Sequence, residues 1–364
     1  MLLYYAAYPL RNHEEDFESG VNMKWWFKGV LISIVSIELA AGAYMGFLIY
    51  KRGHSQVLGA VSVINKTINR NGASNTNLIY YYEPTAGSRE VDLSSWLTQQ
   101  VVWTYNHDTL NDVQDYSVEK PPDTYRIITL GDSFTFGDHV NTGEAWPTQL
   151  ENLLNASQPC SKYTRYEVLN LGLRGFDIQD EVERYRLRGQ KYRPDLVIWM
   201  LIPNDFNEIN ELLDPLVDQR LVELQKERHI VPLLSNQMLT TDAVRMSLVQ
   251  QADDDADKLL WKKYSQQALY AMENTYVQNF TGLYGGPLLF ATFPFVNDQD
   301  KTEIAKWVHA RSLMYYMDNL PDIYKDSSLF FSQHGDGHPT PLAHTIIAKD
   351  IYDYIKGEHL ISCQ

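Results

Sequence analysis

Tyr125-Arg-Ile-Ile-Thr-Leu-Gly-Asp-Ser133-Phe-Thr-Phe-Gly137 is the stretch whose reading decides the fold. Its first half, Ile127 to Leu130, is a short apolar run rich in β-branched residues, the composition of a strand buried on both faces. Its second half turns at Gly131 into a segment of helical character. Three further runs share this grammar, Glu167–Leu171, Leu196–Leu201 and Leu288–Phe293, each running out close to Gly, Pro or Asn. Helical patterns lie around and between them at Pro147–Leu154, Ile178–Leu187, Lys258–Tyr276, Thr302–Met317 and Pro341–Ile355. Strand and helix in alternation predict an α/β class: a three-layer α/β/α sandwich with a mainly parallel sheet.

Working outward, residues 123–358 form the main domain, with a helical insertion at about 206–284 that reads as a lid or cap. The insertion contains Asp253-Asp-Asp-Ala-Asp257, which lacks the glycine and terminal glutamate of a calcium loop and reads as a solvated face. Residues 78–122 carry the β-prone stretches Leu78–Tyr82 and Val101–Tyr105 and form a small strand-rich lead-in, and the polar residues 51–77 read as a stalk. Residues 29–50 hold one ionisable side chain, Glu38, and at ~1.5 Å per residue are long enough to span a bilayer as a transmembrane helix. Trp25, Trp26 and Phe27 before it, and Tyr50, Lys51 and Arg52 after it, suit the membrane interface.

Two other readings of that segment stand beside the anchor: a signal peptide cleaved near Ala41-Gly-Ala43, and a buried core helix. The apolar run past Ala43 favours the anchor. Residues 1–28 are its N-terminal flank, of which 1–22 resemble an extension ahead of a start at Met23. Lys24 and Lys28 nearly balance Lys51 and Arg52, and the preferred orientation puts the main domain on the extracytoplasmic side.

A formal charge of −15, with 46 acids against 31 bases, excludes a phosphate-backbone partner, so no nucleic acid is expected. The two cysteines, Cys160 and Cys363, are too few for a disulfide framework or a cysteine zinc site and leave the redox compartment open. Neither a cofactor nor a metal is called for.

In an open parallel sheet the chemistry gathers outside the carboxyl ends of the strands. The first strand ends at Gly131-Asp132-Ser133, where a serine heads a helix whose free N–H groups can face a developing oxyanion. Such a serine, taken alone, is a helix cap. The second strand ends Asn170-Leu-Gly172-Leu-Arg-Gly175 and the third Ile202-Pro-Asn204-Asp205, which bring a glycine amide and a side-chain amide to the same edge. Near the C-terminus His334-Gly-Asp336-Gly-His338 supplies a base for a serine, and glycines and prolines prevent these histidines and His344 from forming a helical metal face.

Taken together, these four blocks resemble the SGNH/GDSL hydrolases in order and rough spacing, over about residues 78–206 and 285–355. The resemblance implies a flavodoxin-like sandwich, Ser133 as nucleophile, His338 as base and Asp336 as the acid that orients it. It also implies an oxyanion hole of the Ser133 amide, the Gly175 amide and the Asn204 side chain, with Gly172 the alternative to Gly175 and with His334 and His344 as bystanders. In two places the chain departs from the pattern: Ile202 stands where the family carries glycine, and Gly335 stands where the family carries its acid, Asp336 being one residue later. The activity implied is that of a membrane-anchored serine esterase or acyltransferase acting on an ester-bearing substrate, above all an acylated carbohydrate. A lipase, lysophospholipase or thioesterase with the same site, and a catalytically silent envelope scaffold, are the alternatives.

Overall fold

The computed structural model describes residues 76–94, 96–228, 242–293, 295–318 and 326–363. All lie in the second of the chain's two compact units, Ser55–Gln364. The membrane segment expected at 29–50 and nearly all of the stalk fall outside the described residues. Among those described, no helix is long and apolar enough to cross a membrane.

Five strands form the central sheet: β3 (Thr124–Leu130), β4 (Arg165–Asn170), β5 (Leu196–Leu201), β6 (Leu288–Thr292) and β7 (Met314–Met317). All neighbours are parallel, in the spatial order β4-β3-β5-β6-β7. Ile128 stands opposite both Leu169 and Val197, and Leu289 opposite both Ile198 and Tyr315. This is the doubly wound order of the flavodoxin type, and its direction of winding reverses between β3 and β5, the place where open α/β sheets as a class bind their ligands. Ser133 sits at that reversal, three residues past the end of β3.

Alternate strand residues feed two cores. On one face Ile127, Val168, Ile198, Met200 and Ala291 pack against Trp146, Leu150 and Leu154 of α2 (Trp146–Ser157) and Ile347 and Ile351 of α8 (Pro341–Gly357). On the other, Ile128, Leu169, Val197, Trp199 and Phe290 meet Val182 of α3 (Ile178–Arg184), Val277 and Phe280 of α6 (Gln266–Leu283) and Trp307 of α7 (Asp298–His309). Each such side chain contributes about 1.5–3 kcal/mol by leaving water, so the period-two burial pins the register of every strand.

Four sequence expectations change. The helix expected over Thr302–Met317 ends at His309. Leu313 takes a left-handed φ of 69°, and Met314–Met317, with two tyrosines, forms the sheet's edge strand β7. The helix expected at Lys258–Tyr276 is two: α5 (Asp242–Lys263) and α6, which restarts at Ser265, whose side chain caps the Ala268 amide. Because α6 packs in the sandwich, the inserted hairpin consists of α4 (Asn210–Glu227) and α5, joined by Leu213, Ala256 and Leu260 and by Leu224, Leu248 and Ala252.

The lead-in pairs β1 (Arg89–Val91) antiparallel with β2 (Val102–Thr104), but Leu78–Tyr82 forms no strand. The Ile79 and Tyr80 amides instead donate to the Glu211 carboxylate, at 2.7 and 3.0 Å. Last, Cys160 and Cys363 are paired in a disulfide with their Cα atoms 5.6 Å apart, tying the segment after α2 to the C-terminal tail. Two cysteines are enough for this one bond, which their separation of 203 residues hid.

Candidate active site

The turn that presents Ser133 is built from glycine and aspartate. Gly131 has φ 148°, and a Cβ there would lie 2.1 Å from Thr135 Oγ1, so no other residue fits between β3 and the short helix α1 (Ser133–Phe136). Asp132, not Ser133, caps that helix: its Oδ1 accepts the Phe134 amide at 3.0 Å. Ser133 is thereby released from capping and its hydroxyl is directed elsewhere. Gly172 closes the packing from the next strand end, since a Cβ there would meet the Phe136 nitrogen at 2.4 Å.

The structure brings Ser133, His338 and Asp336 together. His338 Nε2 lies 2.8 Å from Ser133 Oγ, and His338 Nδ1 lies 2.7 Å from Asp336 Oδ1, which also accepts the His338 backbone amide at 2.8 Å. An acid two residues before the histidine therefore reaches both of its N–H groups across a tight turn. Gly335, left-handed at φ 76°, sets up that turn, and the loop is closed by the Phe331 amide donating to the His338 carbonyl at 3.0 Å. Ile202 turns its side chain into the core, while its amide donates to Asp205 Oδ2 at 2.7 Å, so a side chain at this position leaves the site clear.

Charges around the site follow from burial and partners. Burial pulls against ionisation of Asp336, but hydrogen bonds from His139 and His338 overcome it and hold the carboxyl well below the usual range. Burial likewise opposes charge on His338, yet the Asp336 hydrogen bond and the nearby Asp138, Asp336 and Asp132 charges raise it above an ordinary histidine. Asp132 is pushed up to about 6 by burial, against the amides it accepts. The Ser133 hydroxyl has one proton and two possible acceptors, His338 Nε2 and, at 3.2 Å, Asp132 Oδ2. When His338 is protonated, Nε2–H donates to Oγ and the serine proton turns to Asp132. When His338 is neutral, Nε2 accepts it.

The proposed oxyanion donors lie at the same sheet edge. Gly175 is left-handed at φ 64° between β4 and α3, its carbonyl accepting from Asn210 Nδ2 at 3.0 Å. Asn204 is half-buried in the single turn Pro203–Phe206 that follows β5. The Gly172 amide is committed to Asn170 Oδ1 at 3.0 Å, which removes it as the alternative. His344 is fully buried, accepts the Trp146 amide on Nδ1 at 3.2 Å and is pushed down to about 3 by burial, a packing residue of the α2–α8 layer. His334 is exposed and stacks on Trp96 at 4.8 Å, so neither histidine reaches Ser133.

Sequence reasoning missed two residues. His139, six positions after Ser133, places Nε2 3.1 Å from Asp336 Oδ2 and Nδ1 2.6 Å from Asp92 Oδ2. The lead-in carrying Asp92 is docked here by Trp103, whose Nε1 donates to the Gly137 carbonyl at 3.1 Å, and by the Val102 and Thr104 amides on Asn141 and Thr142. A histidine so soon after the serine was the one available signal; nothing local marked Asp92. Asp138, His139 and His338 each offer a ligand atom within 4.8 Å of the others. Both nitrogens of both rings are already engaged by carboxylates and Ser133, so a metal there would have to break these hydrogen bonds.

No protein-family model matches the chain, and no curated protein does. Among solved structures it is similar to a family 3 carbohydrate esterase from Clostridium thermocellum, at 16% identity and a TM-score of 0.40, over 65% of this chain and 97% of that one. It is also similar to a psychrotrophic esterase from Pseudoalteromonas sp., at 15% identity and a TM-score of 0.36, over 64% and 98% of the two chains. An acetyl-xylooligosaccharide esterase from Geobacillus stearmophilus matches at 14% identity and a TM-score of 0.36, over 64% and 94%.

Proposed function

We propose that this chain is a serine ester hydrolase or acyltransferase of the SGNH/GDSL type, with Ser133 as nucleophile, His338 as base and Asp336 as orienting acid. The observation that carries the reading is the continuous hydrogen-bonded line from Ser133 Oγ through both ring nitrogens of His338 to Asp336, at 2.8 and 2.7 Å. A silent scaffold has no need of that alignment.

In this mechanism the ester carbonyl lies over Ser133 at the carboxyl ends of β3 and β5. Asp336 holds the His338 proton on Nδ1, which leaves Nε2 free to take the serine proton as Oγ attacks. The negative charge that moves onto the carbonyl oxygen is met by the Ser133 and Gly175 amides and the Asn204 side-chain amide. As the tetrahedral intermediate collapses, His338 returns the proton to the departing alcohol and an acyl-enzyme forms. His338 then takes a proton from water, or from an acceptor hydroxyl, as that oxygen attacks the acyl carbonyl, and returns the proton to Ser133 Oγ as the acyl–serine bond breaks.

The substrate class we infer is an acylated carbohydrate, with esterase and O-acetyltransferase as the two outcomes of the second half-reaction. We further propose an extracytoplasmic site tethered through residues 29–50. The Cys160–Cys363 pairing supports that location, because structural disulfides persist in oxidising compartments. The test is turnover of acetylated xylan or mannan oligosaccharides against matched p-nitrophenyl and long-chain acyl esters by wild type and Ser133→Ala. Preferential, Ser133-dependent release of acetate from the carbohydrates is expected. Preference for long acyl chains would move the reading to a lipase, and no turnover by folded wild type would end the enzymatic reading. A reporter that is active only outside the cytoplasm, fused after Gln364 so that Cys363 is kept, is expected to be active, and an inactive fusion reverses the location.

A further inference from the structure

The acid of the Ser133–His338–Asp336 line has a second partner, and that partner has an acid of its own. Asp336 spends Oδ1 on the backbone amide and ring of His338, and its Oδ2 meets His139 Nε2 at 3.1 Å. On its other side His139 Nδ1 meets Asp92 Oδ2 at 2.6 Å, and Asp92 Oδ1 is fixed by the Ser94 amide at 2.8 Å. Against burial, hydrogen bonds hold Asp92 and Asp336 below the usual carboxylate range, so both are ionised acceptors, and an imidazole between two ionised carboxylates donates from both nitrogens as a cation. The ring is walled by Trp96 at 4.8 Å, His338 at 5.3 Å and Phe331 at 5.9 Å, and its side chain is 12% exposed.

We propose that His139, seated by Asp92, is a positioning residue for Asp336: a fixed imidazolium that stops the carboxylate rotating away from His338 and moderates the base's affinity for its proton. The proposal rests on the reading of Ser133 and His338 as the reacting pair. The need for such a clamp follows from the unusual spacing. Asp336 stands on a glycine-flanked turn and its side chain is 24% exposed, so with Oδ2 unanchored, rotation about Cβ–Cγ would trade the Nδ1 contact for water. Anchoring Oδ2 removes that freedom.

Charge makes the second effect. His338 faces Asp132, Asp138 and Asp336, all of which favour its protonated, inactive form. The cation at His139, whose ring centroid is 5.3 Å from that of His338, opposes them. Burial works against that cation, but hydrogen bonds to Asp336 and Asp92 and the Asp138 charge raise His139 to about 10, while Arg174, 3.9 Å from Asp138, offsets part of the last contribution. The clamp draws on three separate segments, Asp92 from the lead-in, His139 from the loop after α1 and Asp336 from the loop before α8. The lead-in is thereby part of the working unit.

Two measurements on the full chain test this. Histidine-ring proton–nitrogen correlation spectra between pH 5 and 10 read each imidazole directly, and fluorophosphonate phosphonylation of Ser133, with loss of fluoride, over the same range reads the base. Wild-type His139 is expected to carry protons on both nitrogens at pH 8. In His139→Gln, the titration of His338 and the rise of phosphonylation rate with pH are both expected to move to higher pH, with the plateau rate down on the order of 10- to 100-fold. A merely structural role lowers stability without moving either titration.

A neutral His139 at pH 8 in wild type overturns the proposal whether or not any variant folds. So does a folded His139→Gln whose His338 titration is unmoved. If Ser133 resists the probe while both ring titrations behave as stated, the nucleophile reading falls and the His139–His338 coupling stands.

Discussion

Replacing Asp336 by asparagine separates charge from shape at the site. The side chain keeps its size, yet an amide cannot accept from both neighbours. With its oxygen toward His338 it points an N–H at the N–H of His139, and after a flip it points an N–H at His338 Nδ1 and forces the wrong tautomer. The charge lost is the one that stabilises the imidazolium formed in the transition state. At 2.7 Å and an effective dielectric of about 20, Coulomb attraction is worth about 6 kcal/mol gross. Both side chains are partly exposed, 20% for His338 and 24% for Asp336, so solvent screening brings the net loss to about 3–5 kcal/mol. That corresponds to a fall in kcat/KM of roughly 10²- to 10⁴-fold. The assay is p-nitrophenyl acetate hydrolysis by wild type and Asp336→Asn, with thermal melts to establish folding and with Ser133→Ala and His338→Ala as references. An Asp336→Asn enzyme within threefold of wild type, beside two inactive references, would refute the assignment of the acid.

Three other perturbations have defined outcomes. Asn204→Ala is expected to lower kcat by about 10²- to 10³-fold with KM little changed, because an oxyanion donor acts in the transition state; a loss confined to KM contradicts that role. Glu273 is buried with neither oxygen partnered among the described residues, and burial followed by the Asp300 charge raises it to about 9. It is neutral in the fold but ionised in the unfolded chain above about 4.5, so its cost to stability is absent below that pH and grows up to about 9. Glu273→Gln is therefore expected to match wild type at pH 4 and to melt roughly 5 °C higher at pH 9, and melting curves parallel across this range would contradict the argument. Reduction of Cys160–Cys363 closes no site but releases the tail that carries Leu360, and is expected to cost about 2–5 kcal/mol in urea unfolding; equal midpoints with and without reductant count against the bond.

The sheet was legible because its strands are buried on both faces: Leu196–Leu201 is apolar throughout, Ile127–Leu130 and Leu288–Thr292 are apolar but for Thr129 and Thr292, and glycine, proline or asparagine punctuates them. β7 was not, since Met314–Met317 is a four-residue edge strand that continues the apolar pattern of the preceding helix, and only a short turn over 310–313, ending in the left-handed Leu313, separates the two. Ser133 and His338 could be singled out because one lies at a strand end and the other in a glycine-rich loop, Asp336 was proposed from the resemblance to the SGNH/GDSL hydrolases, and the structure brings the three within hydrogen-bonding distance. Asp92 and His139 escaped because their meaning is purely tertiary. Asp92 is 47 residues from His139, and His139 is 197 residues from Asp336, so no local pattern relates them. The same distance effect hid Cys160–Cys363. Ile202 shows the converse: a departure visible in the sequence leaves the site intact because its side chain points inward.

The central claim is that the Ser133 hydroxyl, and no other, is the activated nucleophile. Covalent labelling with a fluorophosphonate, followed by peptide mapping of the adduct in wild type, Ser133→Ala and His338→Ala, tests it most directly. One adduct on the peptide containing Gly131-Asp132-Ser133, absent from both variants, is the predicted result. An adduct on another residue, or one that persists in Ser133→Ala, would contradict the account.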